Sequence, residues 1–128
     1  MPAGFIEYQG HRILLLDFAR ITDPPLLLRE IEEARRFVAA QPRRKELLTL
    51  VDLKGLRFNE EVLKAFRELS QHDEPYERAA AVCGFSSIGR VAFRAHNLIT
   101  GGRLAPFDSR EECLAWLVRQ APASDPSR

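Results

Sequence analysis

Leu47-Leu48-Thr49-Leu50-Val51-Asp52-Leu53 is the stretch whose reading decides the fold. It is an apolar run of strand length between polar segments, and it reads as a buried strand. Upstream of it lies a helix. Asp23-Pro24-Pro25 supplies an N-cap followed by proline in the first turn, and Leu27, Leu28, Ile31, Ala34 and Val38 fall on one face of a helix that ends near Gln41-Pro42. Further upstream, Phe5 to Tyr8 and Arg12 to Phe18 are short β-type runs separated by Gln9-Gly10-His11, the pattern of a hairpin.

Downstream, Asn59 caps a helix whose Val62, Leu63, Phe66 and Leu69 share a stripe, with His72 placed to suit its C-terminus. Ala79 to Cys83 is another apolar strand. A turn at Gly84 to Ser87 leads into a helix expected over Ile88 to Thr100 and closed by Gly101-Gly102. Leu104 to Phe107 is a short last strand. Ser109-x-x-Glu112 forms a capping box for a final helix with Cys113, Leu114, Leu117 and Val118 on its inner side. The order is ββαβαβαβα. Strands joined through helices run parallel, so the expected fold is α/β with a mixed, mostly parallel sheet whose first strand is antiparallel.

Composition agrees with one folded domain. A chain of 128 residues buries about two thirds of the surface its unfolded form exposes, and 45% apolar with 29% charged residues is ordinary for a globular protein. The expected domain spans residues 1–120, with 121–128 as a flexible Pro/Ser tail. The longest aliphatic block, Ile13 to Leu16, falls far short of the roughly 20 residues of a membrane span, and the Met-Pro-Ala-Gly start lacks the basic region of a signal peptide. A cytoplasmic location follows as the expectation. Cys83 and Cys113 stand alone in sequence without ligand spacing and read as small core hydrophobes in a reducing compartment. Net charge of +1 provides no global field for nucleic acid, which is not expected as a partner.

The segment Leu50-Val51-Asp52-Leu53-Lys54-Gly55-Leu56-Arg57-Phe58, set in this element order, resembles the STAS domains of bacterial anti-sigma-factor antagonists over about Gly4 to Val118. In that family a strand ending in Asp-Leu-x-Gly-x-x-Phe leads to a helix start bearing Asp-Ser-Ser-Gly, whose first serine is phosphorylated by a partner kinase. The corresponding stretch here is Glu60-Glu61-Val62-Leu63, so Glu61 occupies the switch position and no phosphorylatable serine stands there. Arg90 to Asn97 and the Pro-Phe-Asp-Ser-x-Glu-Glu start of the last helix look closer to a STAS-like branch of bacterial proteins that is often grouped with the CRAL-TRIO lipid-transfer fold. The resemblance implies a fold more firmly than a task.

Gly84-Phe85-Ser86-Ser87-Ile88-Gly89 joins a strand to a helix, the setting of a nucleophile elbow or of an anion-cupping turn. The elbow fails on spacing, since Ile88 stands where its second glycine belongs and no histidine follows Asp108. Anion binding fits better. Arg90 in the first turn opposes the helix dipole unless an anion or carboxylate sits between, and Arg94 follows on the same side. The same pattern also reads as a solvated helix face with a serine N-cap. Ligands of parallel sheets bind beyond the carboxyl ends of the strands, where Arg57, Asn59, Ser86, Ser87, Arg90 and Arg94 are expected to converge. Glu60 and Glu61 count against a strongly anionic ligand there. His11, His72 and His96 share no ligand spacing, so neither a metal site nor a cofactor is expected. Arg43-Arg44-Lys45 reads as a solvated loop without interleaved aromatics, and Leu26 and Phe37 lie on the outer side of the first helix, open to a homodimer or peripheral membrane contact.

Two functions remain: a non-enzymatic regulatory or protein-interaction module of STAS type, or a binder or carrier of a small anionic or lipidic ligand around Ser86 to Arg90.

Overall fold

The run that opened the sequence reading, as Leu47–Asp52, is the central strand of a five-stranded sheet in a computed structural model that describes residues 3–56, 59–84 and 104–122. In chain order the elements are β1 (Ala3–Tyr8), β2 (His11–Asp17), α1 (Pro24–Ala39), β3 (Leu47–Asp52), α2 (Glu60–Asp73), a 3-10 turn (Glu74–Tyr76), β4 (Glu77–Cys83), β5 (Leu104–Pro106) and α3 (Arg110–Gln120). The strands lie side by side in the order β1-β2-β3-β4-β5; β1 is antiparallel to β2 and the other pairings are parallel. This is the expected mixed α/β sheet. The helix expected over Ile88 to Thr100 lies outside the described residues.

The hairpin forms where Gln9 and Gly10 both take the left-handed backbone, with φ of 49° and 80°, whose twist suits a two-residue turn between right-twisted strands. α1 and α2 each lead from one parallel strand to the next. Crossovers of one hand that advance in one direction deposit their helices on the same face. There they bury Leu14, Leu16 and Phe18 of the β2 strand and its exit, together with Leu27, Val38, Val62 and Leu69 of the helices. α3 is not a crossover, and it covers the opposite face over Ile13, Leu48, Leu50, Ala81 and Cys83. Successive residues of β3 therefore enter different cores, which is why its sequence is apolar without alternating.

Three local expectations need correction. Asp23 stands at the N-cap of α1 with proline in the first turn, as expected, but its carboxylate makes no cap hydrogen bond: Pro25 removes the N2 donor, and the Leu26 amide at N3 does not take its place. Phe37 is not on an outer face: it is half-buried against Phe5 of β1, with ring centroids 5.6 Å apart. Leu26 does stay exposed. Ala121, placed in the expected tail, packs against the α3 side of the core and its amide donates to Val118. Residues 123–128 lie outside the described residues. No helix among the described residues is long and apolar enough to cross a membrane.

Candidate functional site at the carboxyl edge of the sheet

β2, β3 and β4 end in register, with Asp17 beside Asp52 and Asp52 beside Cys83. Each aspartate first serves its own chain. Asp17 Oδ1 accepts from the amide of Ala19 at 3.0 Å and Asp52 Oδ1 from that of Lys54 at 2.9 Å, so both close turns where their strands leave the sheet. Their other oxygens converge on one guanidinium. Arg110, the first residue of α3, donates from Nε to Asp52 Oδ2 at 2.6 Å and reaches Asp17 Oδ2 at 3.1 Å.

This clamp resolves two electrostatic problems at once. Neighbouring carboxylates repel, and the side chain of Asp52, only 7% exposed, needs a partner to be tolerated there. A cation at the first position of a helix opposes its dipole, which the two carboxylates counter. The hydrogen bond to Asp52, partly offset by burial, raises Arg110 above the ordinary arginine pKa. Ser109 caps the same helix, accepting from the amide of Glu112 at 3.2 Å as the capping box implied.

The turns beyond the strands stack on one another. Phe18 donates its amide to Asp52, Leu53 to Cys83, and Arg20 to Lys54, so sheet-like bonding continues past the strand ends. Gly84 is indispensable to this arrangement. Its φ is +94°, and a Cβ there would lie 2.3 Å from the Lys54 nitrogen and 2.7 Å from its Cα. Only glycine lets the chain leaving β4 rest on the turn after β3.

Of the residues expected to converge here, Asn59 is described; Glu61, at the switch position, is described as well. Asn59 Oδ1 accepts from the Val62 amide at 2.8 Å and so caps α2. Glu60 and Glu61 are exposed in the first turn of that helix, where negative charge suits its dipole. Arg57, Ser86, Ser87, Arg90 and Arg94 lie outside the described residues, as does His96. Among the described residues no group of three or more His, Cys, Asp or Glu side chains is set to hold a metal ion.

The sequence reading did not single out Asp17, Asp52 or Arg110 as site residues. The signal for Arg110 was the one used for Arg90: a cation in the first turn of a helix. Nor are the cysteines isolated from each other. Cys83 and Cys113 are both buried, both free, and hydrogen-bonded across the β4–α3 contact. The bond to Cys83, and then burial, push the Cys113 thiol well above its usual pKa. Thirty residues of separation gave no hint of this pair.

No protein-family model matches this chain, and no curated protein does. Among solved structures it is similar to the crystal structure of an uncharacterized protein of the DUF3478 family with a SpoIIAA-like fold from Shewanella loihica PV-4. The two align with a TM-score of 0.64 and 17% identity, over 90% of this chain and 91% of that one. The likeness shows a SpoIIAA-like, that is STAS-like, fold; it does not show the CRAL-TRIO relation.

Proposed function

We propose, with the SpoIIAA-like fold as premise, that this chain is a non-enzymatic regulatory module of STAS type that docks a partner protein through the carboxyl edge of its sheet. One observation carries the reading: Glu61 is exposed at the start of α2, at the end of the sheet that Asp17, Asp52 and Arg110 brace. Where the family resemblance puts a serine that gains about −1.5 to −2 of charge on phosphorylation, this chain has a permanent single negative charge. Docking at this edge is then constitutive rather than switched. The aspartates beside it fit the same reading, because their oxygens are engaged by Arg110 and by turn amides and act as struts.

A photo-crosslinking residue introduced at Glu61, and as a control at exposed Arg29 on α1, tests the proposal in extract of the source cells. The expected result is a discrete protein adduct at position 61 that is absent at 29. Equal adduct patterns at the two positions, or none at 61, contradict it.

The second reading, a binder of a small anionic or lipidic ligand at Arg57, Asn59, Ser86, Ser87, Arg90 and Arg94, is favoured by the approach of Gly84 to Lys54, which brings the chain entering that corner against the turn after β3. Native mass spectrometry separates the two readings, since a carrier retains added ligand mass; the same spectrum reads a homodimer directly.

A further inference from the structure

We propose that the opposite, amino-terminal end of the sheet holds a binding site for a small anion bearing more than one phosphate group. A groove of about 710 Å³ lies there, between the β1–β2 hairpin, the α1–β3 connection, the start of β4 and the chain after α3. That is the size of a small-molecule site. Arg12, Arg44, Lys45 and Arg78 line it against the single carboxylate of Glu46, so the groove is more positive than the net +1 of the whole chain. These cations come from stretches far apart in sequence, and the fold brings them together despite their mutual repulsion.

Their individual settings point to a ligand. Arg12 lies over the Phe5 ring at 3.9 Å from its centroid, and a guanidinium held there by the ring still carries N–H donors for an anion. Arg44 is exposed, and its side chain has no partner among the described residues. Lys45 holds a left-handed backbone at φ 53°, a conformation that glycine or asparagine adopts at less cost, and its amide is anchored on the carbonyl of Pro75 at 3.1 Å. Its ammonium lies 3.8 Å from Glu74, which lines the neighbouring cleft and not this groove. Arg78 is partly structural, since it donates to the carbonyl of Gln120 at the end of α3.

Two arginine forks and a lysine suit phosphate oxygens, to which guanidinium donates in parallel pairs. A nucleic-acid strand fits less well. The nearby rings already have partners, Phe5 under Arg12 and Tyr76 stacked on His72 with Arg43 at 5.9 Å, so neither is free to stack a base. The ligand's phosphates are either free in solution or carried on a lipid headgroup.

The test uses the full chain, with calorimetric titration of inorganic pyrophosphate and, in parallel, co-sedimentation with phosphatidylcholine vesicles carrying phosphatidylinositol bisphosphate. Arg44→Ala removes a side chain that the described fold does not use; Arg12→Ala is the second variant, and Arg29→Ala on α1 is the control. The expected result is binding that weakens by about tenfold in each groove variant, the loss of one charge-assisted contact, and is unchanged in Arg29→Ala. Loss in the pyrophosphate arm identifies a free anion, and loss in the vesicle arm alone a headgroup. Absence of binding in both arms, or binding that all three variants leave alike, overturns the proposal.

Discussion

Asp52→Asn is the perturbation that most directly reads the clamp at the carboxyl edge. It removes the negative charge facing Arg110 Nε at 2.6 Å while leaving an oxygen to accept the Lys54 amide now bound at 2.9 Å. A hydrogen bond to a charged group contributes about 1.5–3 kcal/mol, and because the Arg110 side chain is 42% exposed the lower part of that range applies, about 2 kcal/mol. Asp52→Ala also loses the turn bond and should cost about 3 kcal/mol. Asp17→Asn is the internal comparison: its carboxylate is 42% exposed and its contact longer at 3.1 Å, so the cost stays below about 1 kcal/mol. With an unfolding entropy of roughly 0.27 kcal/mol/K for a chain of this length, Asp52→Asn lowers Tm by about 7 °C. The assay is urea unfolding followed by far-UV circular dichroism, run as a double-mutant cycle with Arg110→Met. A coupling energy under about 0.5 kcal/mol for the Asp52–Arg110 pair, or equal costs for Asp52→Asn and Asp17→Asn, would refute the reasoning.

Three further outcomes are expected. Gly84→Ala forces a Cβ into the Lys54 backbone at 2.3 Å in a left-handed conformation, and should cost about 3 kcal/mol or more, read as lost soluble yield or a large drop in Tm. Asn59→Ala and Ser109→Ala each remove a side-chain cap, from α2 and α3 respectively, and should each cost about 1 kcal/mol in urea unfolding, with Asn59→Asp near neutral. Cys83 and Cys113, 3% and 0% exposed, should resist N-ethylmaleimide in the folded protein and react once urea unfolds it; intact mass showing modification at the unfolded rate under native conditions would contradict their burial.

The strand and helix order was readable from residue pattern alone because each element carries its own local signal. Leu47 to Leu53 is too short and too apolar for a surface helix, Gln9-Gly10 can take the left-handed turn of a hairpin, and Asn59 and Ser109 stand where helices need an acceptor. Local signals fail where contacts are remote or where two of them conflict. Asp23 has the right side chain for a cap and stands at the N-cap, yet Pro25 takes away its N2 donor and the N3 amide of Leu26 is not bonded to it. The outward assignment of Phe37 came from the helix alone, without the Phe5 ring that β1 lays across it.

The candidate sites were harder to read for the same reason. Arg110 meets aspartates from two different strands, Cys83 meets a cysteine on the last helix, and Arg12 and Arg78 join Arg44 only once the strands are aligned. None of these pairings leaves a spacing in the chain. What was readable is the type of anomaly: a cation at a helix start, which the carboxylates of Asp17 and Asp52 resolve at Arg110.

Docking through the carboxyl edge with Glu61 as a fixed charge is the central claim, and hydrogen–deuterium exchange on the complex recovered by crosslinking tests it most directly. Slowed exchange on binding is expected over residues 53–56 and 59–64 and at the start of α3, lost together with the complex in Glu61→Lys. Protection confined to the outer face of α1 or to the β1–β2 hairpin, or a complex that Glu61→Lys leaves intact, would contradict it.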